Sequence, residues 1–226
     1  MNRMQFLKEE VGRYAYGEPI QVAWLQVEVR KKFALPPEHA ARATAVCMKR
    51  LMDTGCVEGL RRYEKGIYYR AEPTPFGESH VDRNRLIALK YTDQHQGYEG
   101  GLSALHQVGL TSQMPNERVI VTNKAKAGTR QDRKLNITIR KPATRITADN
   151  IQYLQLLDML DGLDRAPVDA EQPVRILKAY VAKHKLRWET LLAIAGRHYG
   201  TRTIGWVVRL TKEGEAPLPQ ICRIIS

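Results

Sequence analysis

The chain has 226 residues, of which 43% are apolar and 27% charged, and it carries a formal net charge of +12. This composition is typical of a globular protein with one large or two small domains, and the positive charge indicates a nucleic acid, an anionic membrane surface or an acidic protein as partner. Three scattered cysteines argue against a disulfide framework or a zinc knuckle, and the lack of an apolar leader-like segment or a long apolar run predicts a cytoplasmic protein that does not enter a membrane.

Residues 1–72 are predicted to form three helices and a hairpin. Apolar residues at helical spacing indicate the helices, the third of which covers residues 37–53 and begins at Pro37. Two short strands, Cys56–Leu60 and Ile67–Arg70, then enclose the basic sequence RRYEKG. This order predicts a winged helix-turn-helix, in which the third helix enters the major groove of DNA and the hairpin is the wing.

The third helix and the hairpin carry the candidate DNA-binding residues. Ala41, Ala45, Met48 and Met52 repeat at helical spacing and are predicted to form the buried face of the helix. The cations outside that face are then predicted to contact phosphates or base edges. The candidates are His39, Arg42, Lys49 and Arg50 on the helix, and Arg61, Arg62 and Lys65 on an exposed hairpin tip. Solvated cations on a small helical domain, or a hairpin that binds only protein, would give the same pattern.

A second domain is predicted at residues 80–226, after a linker of sequence AEPTPFGES at residues 71–79. Two strands with alternating apolar residues, 118–123 and 135–141, are preceded by short helices and followed by several longer ones. The predicted fold class is therefore α+β, with an N-terminal winged helix-turn-helix and a mixed α/β C-terminal domain that ends in helices.

The densest positive charge lies between and after these strands. Residues 124–145 hold eight Lys and Arg against one Asp, a net charge of +7. The segment lacks the spacing of a phosphate-cradling P-loop. It is either a solvated connection or a second basic surface for DNA, RNA or an acidic partner. The candidate residues of that surface are Lys124, Lys126, Arg130, Arg133 and Lys134.

The sequence shows no constellation typical of an enzyme. Its six histidines form no metal-binding pair, and no nucleophile elbow occurs. His106 is more consistent with a packed residue than with a catalytic one. Asp158, Asp161 and Asp164 recur every three residues and gather on one helix face, which suits a metal site but is more typical of a solvated face. We therefore expect no enzymatic activity, no metal and no cofactor.

The order of several short motifs resembles one protein family. The stretch GYEGGLSALHQVGLTSQMPNERVIVTN contains an apolar helix followed by a strand that ends in VTN, and the upstream GLRRYEKGIYYR is similar to the family's wing. The matching positions are Ser103, Leu105, Gly109, Leu110, Thr111 and Gln113, then Val121, Thr122 and Asn123. On these motifs the chain resembles AbiEi-type antitoxins, the regulators of type IV toxin–antitoxin systems, over roughly residues 1–165.

The resemblance implies a DNA-binding autorepressor of its own operon that also opposes a nucleotidyltransferase-type toxin, which it binds directly or counters through a shared target. The chain departs from the family pattern at Val46 and Cys47, where polar base-reading residues are expected, in its long second helix, and after Gly200. Two other functions stay open. One is an RNA-binding or nucleic-acid-processing protein that uses residues 124–145, and the other is a protein-interaction module whose winged helix does not bind DNA.

Overall fold

The computed structural model describes residues 1–212, and the end of the predicted 80–226 domain lies outside the described residues. The chain divides into two compact units, Met1–Lys90 and a second that begins at Tyr91. Both contain helices and small sheets, so the predicted α+β class is confirmed.

The first unit begins with three helices and three short strands. These are α1 (Arg3–Gly12), β1 (Ile20–Gln21), α2 (Val22–Phe33), α3 (Pro37–Asp53), β2 (Leu60–Glu64) and β3 (Ile67–Arg70). The three strands form one antiparallel sheet in the order β1-β3-β2. A small hairpin and a helix complete the unit: β4 (Pro73–Thr74), β5 (Gly77–Glu78) and α4 (Arg83–Ile87).

The turn between α2 and α3 is short and sharply defined. Ala34 adopts the left-handed conformation, with φ 50° and ψ 40°, and thereby ends α2. Pro37 occupies the first turn of α3, where its missing N–H costs no helical hydrogen bond. The three helices pack through a core that includes Leu7, Val11, Leu25, Val29, Met48, Leu51 and Leu60.

The buried face of α3 differs from the predicted one. Ala40, Thr44, Met48 and Leu51 are buried, whereas Ala45 is exposed. Both sets of positions have helical spacing, and a helix rich in alanine gives no contrast in hydrophobicity with which to choose between them. Burial of Thr44 is possible because its hydroxyl donates a hydrogen bond of 2.7 Å to the Ala40 carbonyl within the same helix.

The hairpin begins later than predicted. Gly59 has a φ of +70°, and a Cβ there would lie 2.0 Å from the Ala71 carbonyl oxygen, so the chain turns tightly at this glycine and the strand starts at Leu60. The turn lies at Lys65 and Gly66, and the φ of Gly66 is +83°. Consequently Arg61 and Arg62 lie within the strand β2 and not at the hairpin tip.

The segment at residues 71–79, predicted as a linker, folds into the β4–β5 hairpin and belongs to the first unit. The residues after it also belong there, since the Asp82 N–H donates to the Gly17 carbonyl at 2.7 Å and the Lys90 ammonium lies 3.1 Å from the Glu64 carboxylate. The unit boundary therefore falls after Lys90. Proline and glycine suit a tight hairpin as well as a linker, so composition alone did not distinguish them.

The second unit is a four-stranded sheet with helices. Its strands are β6 (Gly97–Gly100), β7 (Arg118–Thr122), β8 (Thr129–Asp132) and β9 (Ile137–Arg140), in the order β6-β7-β9-β8. Strands β7 and β9 are parallel and the other pairs are antiparallel. Its helices are α5 (Gly101–Gln107), α6 (Ile151–Gly162), α7 (Pro173–Lys183), α8 (Trp188–His198) and α9 (Thr201–Lys212).

The predicted strands 118–123 and 135–141 correspond to β7 and β9, and the alternation in the second is confirmed because Ile137 and Ile139 are buried. Strands β6 and β8 were not predicted. The four residues of β8 are polar and lie within the segment predicted as a loop, so they show no apolar alternation to detect. The main core of the unit includes Leu156, Leu157, Leu160, Leu177, Leu191, Trp206 and Val207.

Asp158 and Asp161 of α6, and Asp164 in the short 3-10 helix directly after it, hold other parts of the second unit in place. The Asp158 carboxylate, 7% exposed, accepts hydrogen bonds from the hydroxyls of Tyr98 (2.9 Å) and Tyr199 (2.8 Å), and it lies 2.5 Å from the Arg140 guanidinium. Asp161 accepts from the Thr203 hydroxyl and Asp164 from the Trp206 indole N–H, each at 3.0 Å. The interpretation of this row as a solvated face is therefore wrong for Asp158.

Within residues 1–212 no group of three or more His, Cys, Asp or Glu side chains is placed to hold an ion. Asp161 and Asp164 are partly exposed but bond to side chains of α9. These contacts join α6 to α9, so the three-residue acidic spacing reflects helix packing.

Stability of the second unit is expected to fall steeply above pH 10. Burial, with a further contribution from the Asp158 charge, raises the pKa of Tyr98 and of Tyr199 above the ordinary tyrosine value. At these two residues the folded state therefore keeps two protons that the unfolded chain releases above about pH 10. The stabilisation is complete below that pH and is lost as the pH rises, at about 2.7 kcal/mol per pH unit for the pair.

The variant Tyr98→Phe should reduce that slope by about 1.4 kcal/mol per pH unit, because one of the two retained protons is gone. Urea unfolding between pH 9 and pH 11 would measure it. A slope equal to that of the unchanged chain would show that Tyr98 is not protected from ionisation.

Candidate nucleic-acid interface

The outward face of α3 carries most of the candidate residues. His39, Arg42, Lys49 and Arg50 all lie outside the buried face of the helix, as predicted. Arg42, Lys49 and Arg50 form no ion pair with any residue in the described range 1–212, so their charges face solvent. Arg42 and Lys49 are seven residues apart, which is two turns of helix, and therefore lie on the same side. Val46 lies between them and is 49% exposed.

An open groove of about 890 Å³ runs along this face of α3. Its walls come from the start of α1, the end of α2 and the outward side of α3. The lining residues are Asn2, Arg3, Met4, Phe33, His39, Arg42, Ala43, Val46, Cys47 and Arg50. Cations lie beside apolar side chains here, and this combination suits DNA, whose phosphates attract arginine and whose thymine methyl groups contact apolar residues.

Arg3 belongs to this groove but was not identified from the sequence. It lies at the start of α1, far from α3 along the chain, so periodicity within one helix gave no signal for it. The Asn2 side chain accepts a hydrogen bond of 2.8 Å from the Gln5 N–H, which fixes the start of α1 and hence the position of the Arg3 backbone. The groove thus adds a third arginine to those predicted on α3.

The hairpin cations are not equivalent. Arg62 and Lys65 are exposed, and Lys65 lies at the turn. Arg61 instead forms a bidentate pair with Glu78 of β5, with Nε 2.8 Å from one carboxylate oxygen and a terminal nitrogen bonded to the other. The hydrogen bond lowers the pKa of Glu78 and raises the pKa of Arg61. Arg61 is therefore already neutralised within the unit, in contrast to its predicted place at the tip.

The charge of the first unit is positive overall. Residues 1–90 hold 16 Lys and Arg against 11 Asp and Glu, a net charge of +5. The last turn of α2 adds three consecutive cations, Arg30, Lys31 and Lys32, of which Lys31 pairs with Glu28 at 3.1 Å. Positive charge is therefore spread over several elements of the unit, as expected for attraction to a polyanion.

The second basic surface lies in the other unit. Its five candidate residues, Lys124, Lys126, Arg130, Arg133 and Lys134, are all exposed. Two other charged groups of the same segment are used internally, since Arg140 pairs with Asp158 and Asp132 accepts a hydrogen bond of 2.8 Å from the Tyr91 hydroxyl. Because five exposed cations face a single carboxylate in this segment, that of Asp132, the surface is strongly electropositive.

The residues of the family-like motifs have structural roles. Leu105, Leu110 and Val121 are buried in the second unit. The Thr122 hydroxyl lies 2.8 Å from the Tyr91 carbonyl, and the Asn123 side chain both donates to and accepts from the Ile146 backbone at 2.9 Å. The motif residues pack and hydrogen-bond within the second unit, so the motifs concern the fold more than a binding site.

A scan of protein-family models finds no match to the chain, and no curated protein matches it. Among the helices within residues 1–212, none has the length and apolar character needed to cross a bilayer.

Proposed function

We propose that residues 1–90 form a winged helix-turn-helix that binds duplex DNA, and that the protein is a DNA-binding transcriptional regulator. The order α1, β1, α2, α3, β2, β3 with the sheet order β1-β3-β2 supports this fold. The observation that carries the proposal is the outward face of α3, where Arg42 and Lys49 lie two turns apart without ion-pair partners in residues 1–212, and where Arg42 and Arg50 line a cationic and apolar groove.

The recognition helix in this proposal is α3. Its outward stripe offers two long cations for guanine or phosphate oxygens, with Val46 between them for a thymine methyl group. Arg62 and Lys65 on the β2–β3 hairpin, the wing, add contacts to the phosphate backbone. The test is an electrophoretic shift assay of the whole protein on the DNA upstream of its own gene, with random DNA of the same length as reference. Equal affinity for both at every salt concentration would contradict a regulator of its own operon.

Replacing Arg62 and Lys65 together by alanine is expected to flatten the salt dependence of DNA binding. Each phosphate contact contributes about 0.9 to the log–log slope of affinity against salt, so the double variant should lose about two units. Arg61→Ala alone should change the slope by much less than the roughly 0.9 of one phosphate contact, because Glu78 already occupies its guanidinium. A fluorescence titration at several salt concentrations measures the slope, and an unaltered slope in the double variant would remove the wing from the interface.

Glu78→Gln is expected to strengthen DNA binding. The change releases the Arg61 guanidinium from its carboxylate, whose two oxygens offer it the same bidentate geometry as a phosphate. One additional phosphate contact should steepen the salt dependence by about 0.9. The matched control is Glu72→Gln. Glu72 is exposed, lies six residues before Glu78 and forms no ion pair within residues 1–212, so its change removes one carboxylate without releasing an arginine. Equal gains in both variants would attribute the effect to net charge alone.

The antagonism of a toxin stays a prediction that rests on the family resemblance. A nucleotidyltransferase reading frame next to this gene would support it, and rescue of cells that express that toxin would test it. The shortened protein for that test should lack residues 1–90, because the first compact unit ends at Lys90. Rescue without promoter repression is the expected result.

A further inference from the structure

Strand β8 forms an exposed edge of the sheet in the second unit. It follows β9 in the order β6-β7-β9-β8 and has no strand on its other side among residues 1–212. Thr129, Arg130 and Gln131 are exposed and Asp132 is half-buried. An open edge of this kind offers unpaired backbone donors and acceptors to another extended chain.

The hydrogen-bond ladder shows which backbone groups point outward. The Lys141 N–H donates to the Gly128 carbonyl, and the pairing continues with Thr129 opposite Arg140 and Arg130 opposite Ile139. Because antiparallel pairs alternate between hydrogen-bonded and non-hydrogen-bonded, the backbone groups of Arg130 face β9. Those of Thr129 and Gln131 therefore face away from the sheet.

The edge is surrounded by positive charge. Lys126, Arg130, Arg133 and Lys134 are exposed within a few residues of the strand or in it, and the one carboxylate of the segment, Asp132, bonds to the Tyr91 hydroxyl. Cations on an edge oppose pairing between two copies of this strand, since like charges would lie opposite one another. The same cations favour an incoming strand that carries carboxylates.

We propose that β8 is a docking edge for an extended acidic peptide segment of a partner protein, which adds to the sheet as an antiparallel or parallel fifth strand. The backbone of Thr129 and Gln131 supplies hydrogen bonds, and Arg130 with its neighbouring cations selects for glutamate or aspartate. A peptide fits this edge better than a nucleic acid does, because the outward carbonyls of Thr129 and Gln131 accept from peptide N–H groups but repel phosphates. The inference concerns the second unit alone and does not depend on DNA binding by the first.

The decisive variant removes one outward donor. Gln131→Pro deletes an N–H that does not bond to β9, and edge strands accept proline at such positions, so the sheet should remain folded. The matched control Gln131→Thr keeps the N–H and favours a strand. The probe is a fluorescein-labelled ten-residue peptide of alternating threonine and glutamate, titrated against the full chain and each variant.

We expect the acidic peptide to bind the unchanged protein and Gln131→Thr equally, and Gln131→Pro at least about tenfold more weakly. A peptide with lysine in place of glutamate should not bind. Reversing Arg130, Arg133 and Lys134 to glutamate should abolish binding of the acidic peptide while the melting transition is retained.

The same acidic peptide with an N-methyl group on every residue provides a second measurement that needs no variant. Methylation then removes the donors of both peptide edges, so binding should be lost if strand addition is the mode. Undiminished binding of the methylated peptide would overturn the proposal, even if Gln131→Pro failed to fold. Absence of binding at about 1 mM acidic peptide would also overturn it. A labelled single-stranded RNA or duplex DNA that binds these cations with no change in Gln131→Pro would reassign the surface to nucleic acid.

Discussion

Replacing Arg42 and Lys49 together by alanine is expected to weaken binding to the protein's own upstream DNA by about 30-fold to 10⁴-fold. The loss of a base-edge contact costs roughly 1–3 kcal/mol, and the two residues are far enough apart along α3 for their effects to add. Both side chains lie on the outward face and have no ion-pair partner in residues 1–212, so the double variant should lose less than about 0.5 kcal/mol of stability. A shift assay with a parallel melting curve separates binding from folding.

The single variants distinguish a contact to a base edge from a contact to a phosphate. If Arg42 or Lys49 contacts a base edge, its alanine variant should lose more affinity for the operator than for random DNA, whereas a phosphate contact loses the same on both. Arg50 lies further round the helix than Arg42 and Lys49, so Arg50→Ala should lose the same affinity for the operator and for random DNA. Lys8→Ala on α1 removes an exposed cation that lies neither on α3 nor in the groove lining, and serves as the control for charge alone. A double variant that binds like Lys8→Ala would exclude α3 as the recognition helix.

The order of three helices and a hairpin in the first unit was predictable from local boundary signals, whereas β1 and the β4–β5 hairpin were not predicted. Pro37 marks the start of α3, and Gly66 supplies the positive φ that the hairpin turn requires. The exact buried face of α3 was not predictable, because alanines occur all round the helix and the buried position 44 is a threonine. The outward position of the cations on α3 was nevertheless predicted correctly, because lysine and arginine avoid the interior whichever alanines are buried.

The errors in the hairpin and in the linker have a common cause. Gly59 and the Pro-rich sequence after Ala71 were interpreted locally, while their conformations depend on contacts across the unit. The close approach of Gly59 to Ala71 and the pair between Arg61 and Glu78 join residues 12 and 17 positions apart. Single-sequence patterns carry no information on such pairs, so the role of Arg61 was visible only in three dimensions.

In the second unit, too, the sequence pattern did not show contacts between residues far apart along the chain. The spacing of Asp158, Asp161 and Asp164 predicted one helix face, but the partners of these side chains lie in β6, β9, α9 and at Tyr199, directly after α8. A buried carboxylate and an exposed one have the same sequence pattern. The distinction rests on Tyr98 and Tyr199, whose hydroxyls reach Asp158 from positions 60 and 41 residues away.

Asp158→Ala is therefore expected to destabilise the second unit by about 2–5 kcal/mol. The substitution leaves two tyrosine hydroxyls in a buried site without their acceptor, at roughly 1–3 kcal/mol each, and it removes the ion-pair partner of Arg140. The Arg140 side chain is 39% exposed and can turn to water, which keeps the total near the range set by the tyrosines. The control is Asp161→Ala, whose partly exposed carboxylate accepts from Thr203 and should cost about 1 kcal/mol.

Urea unfolding followed by tryptophan fluorescence measures this effect in the second unit alone if Trp24 is first replaced by phenylalanine. Trp24 lies in the first unit and is 44% exposed, whereas the other two tryptophans, Trp188 and Trp206, lie in α8 and α9. Asp158→Asn keeps an acceptor oxygen for the tyrosines but loses the charge opposite Arg140, so its loss should fall between those of Asp161→Ala and Asp158→Ala. A loss of less than about 1 kcal/mol in Asp158→Ala would mean that Tyr98 and Tyr199 find water or other acceptors, and that this network does not hold α6 against the sheet.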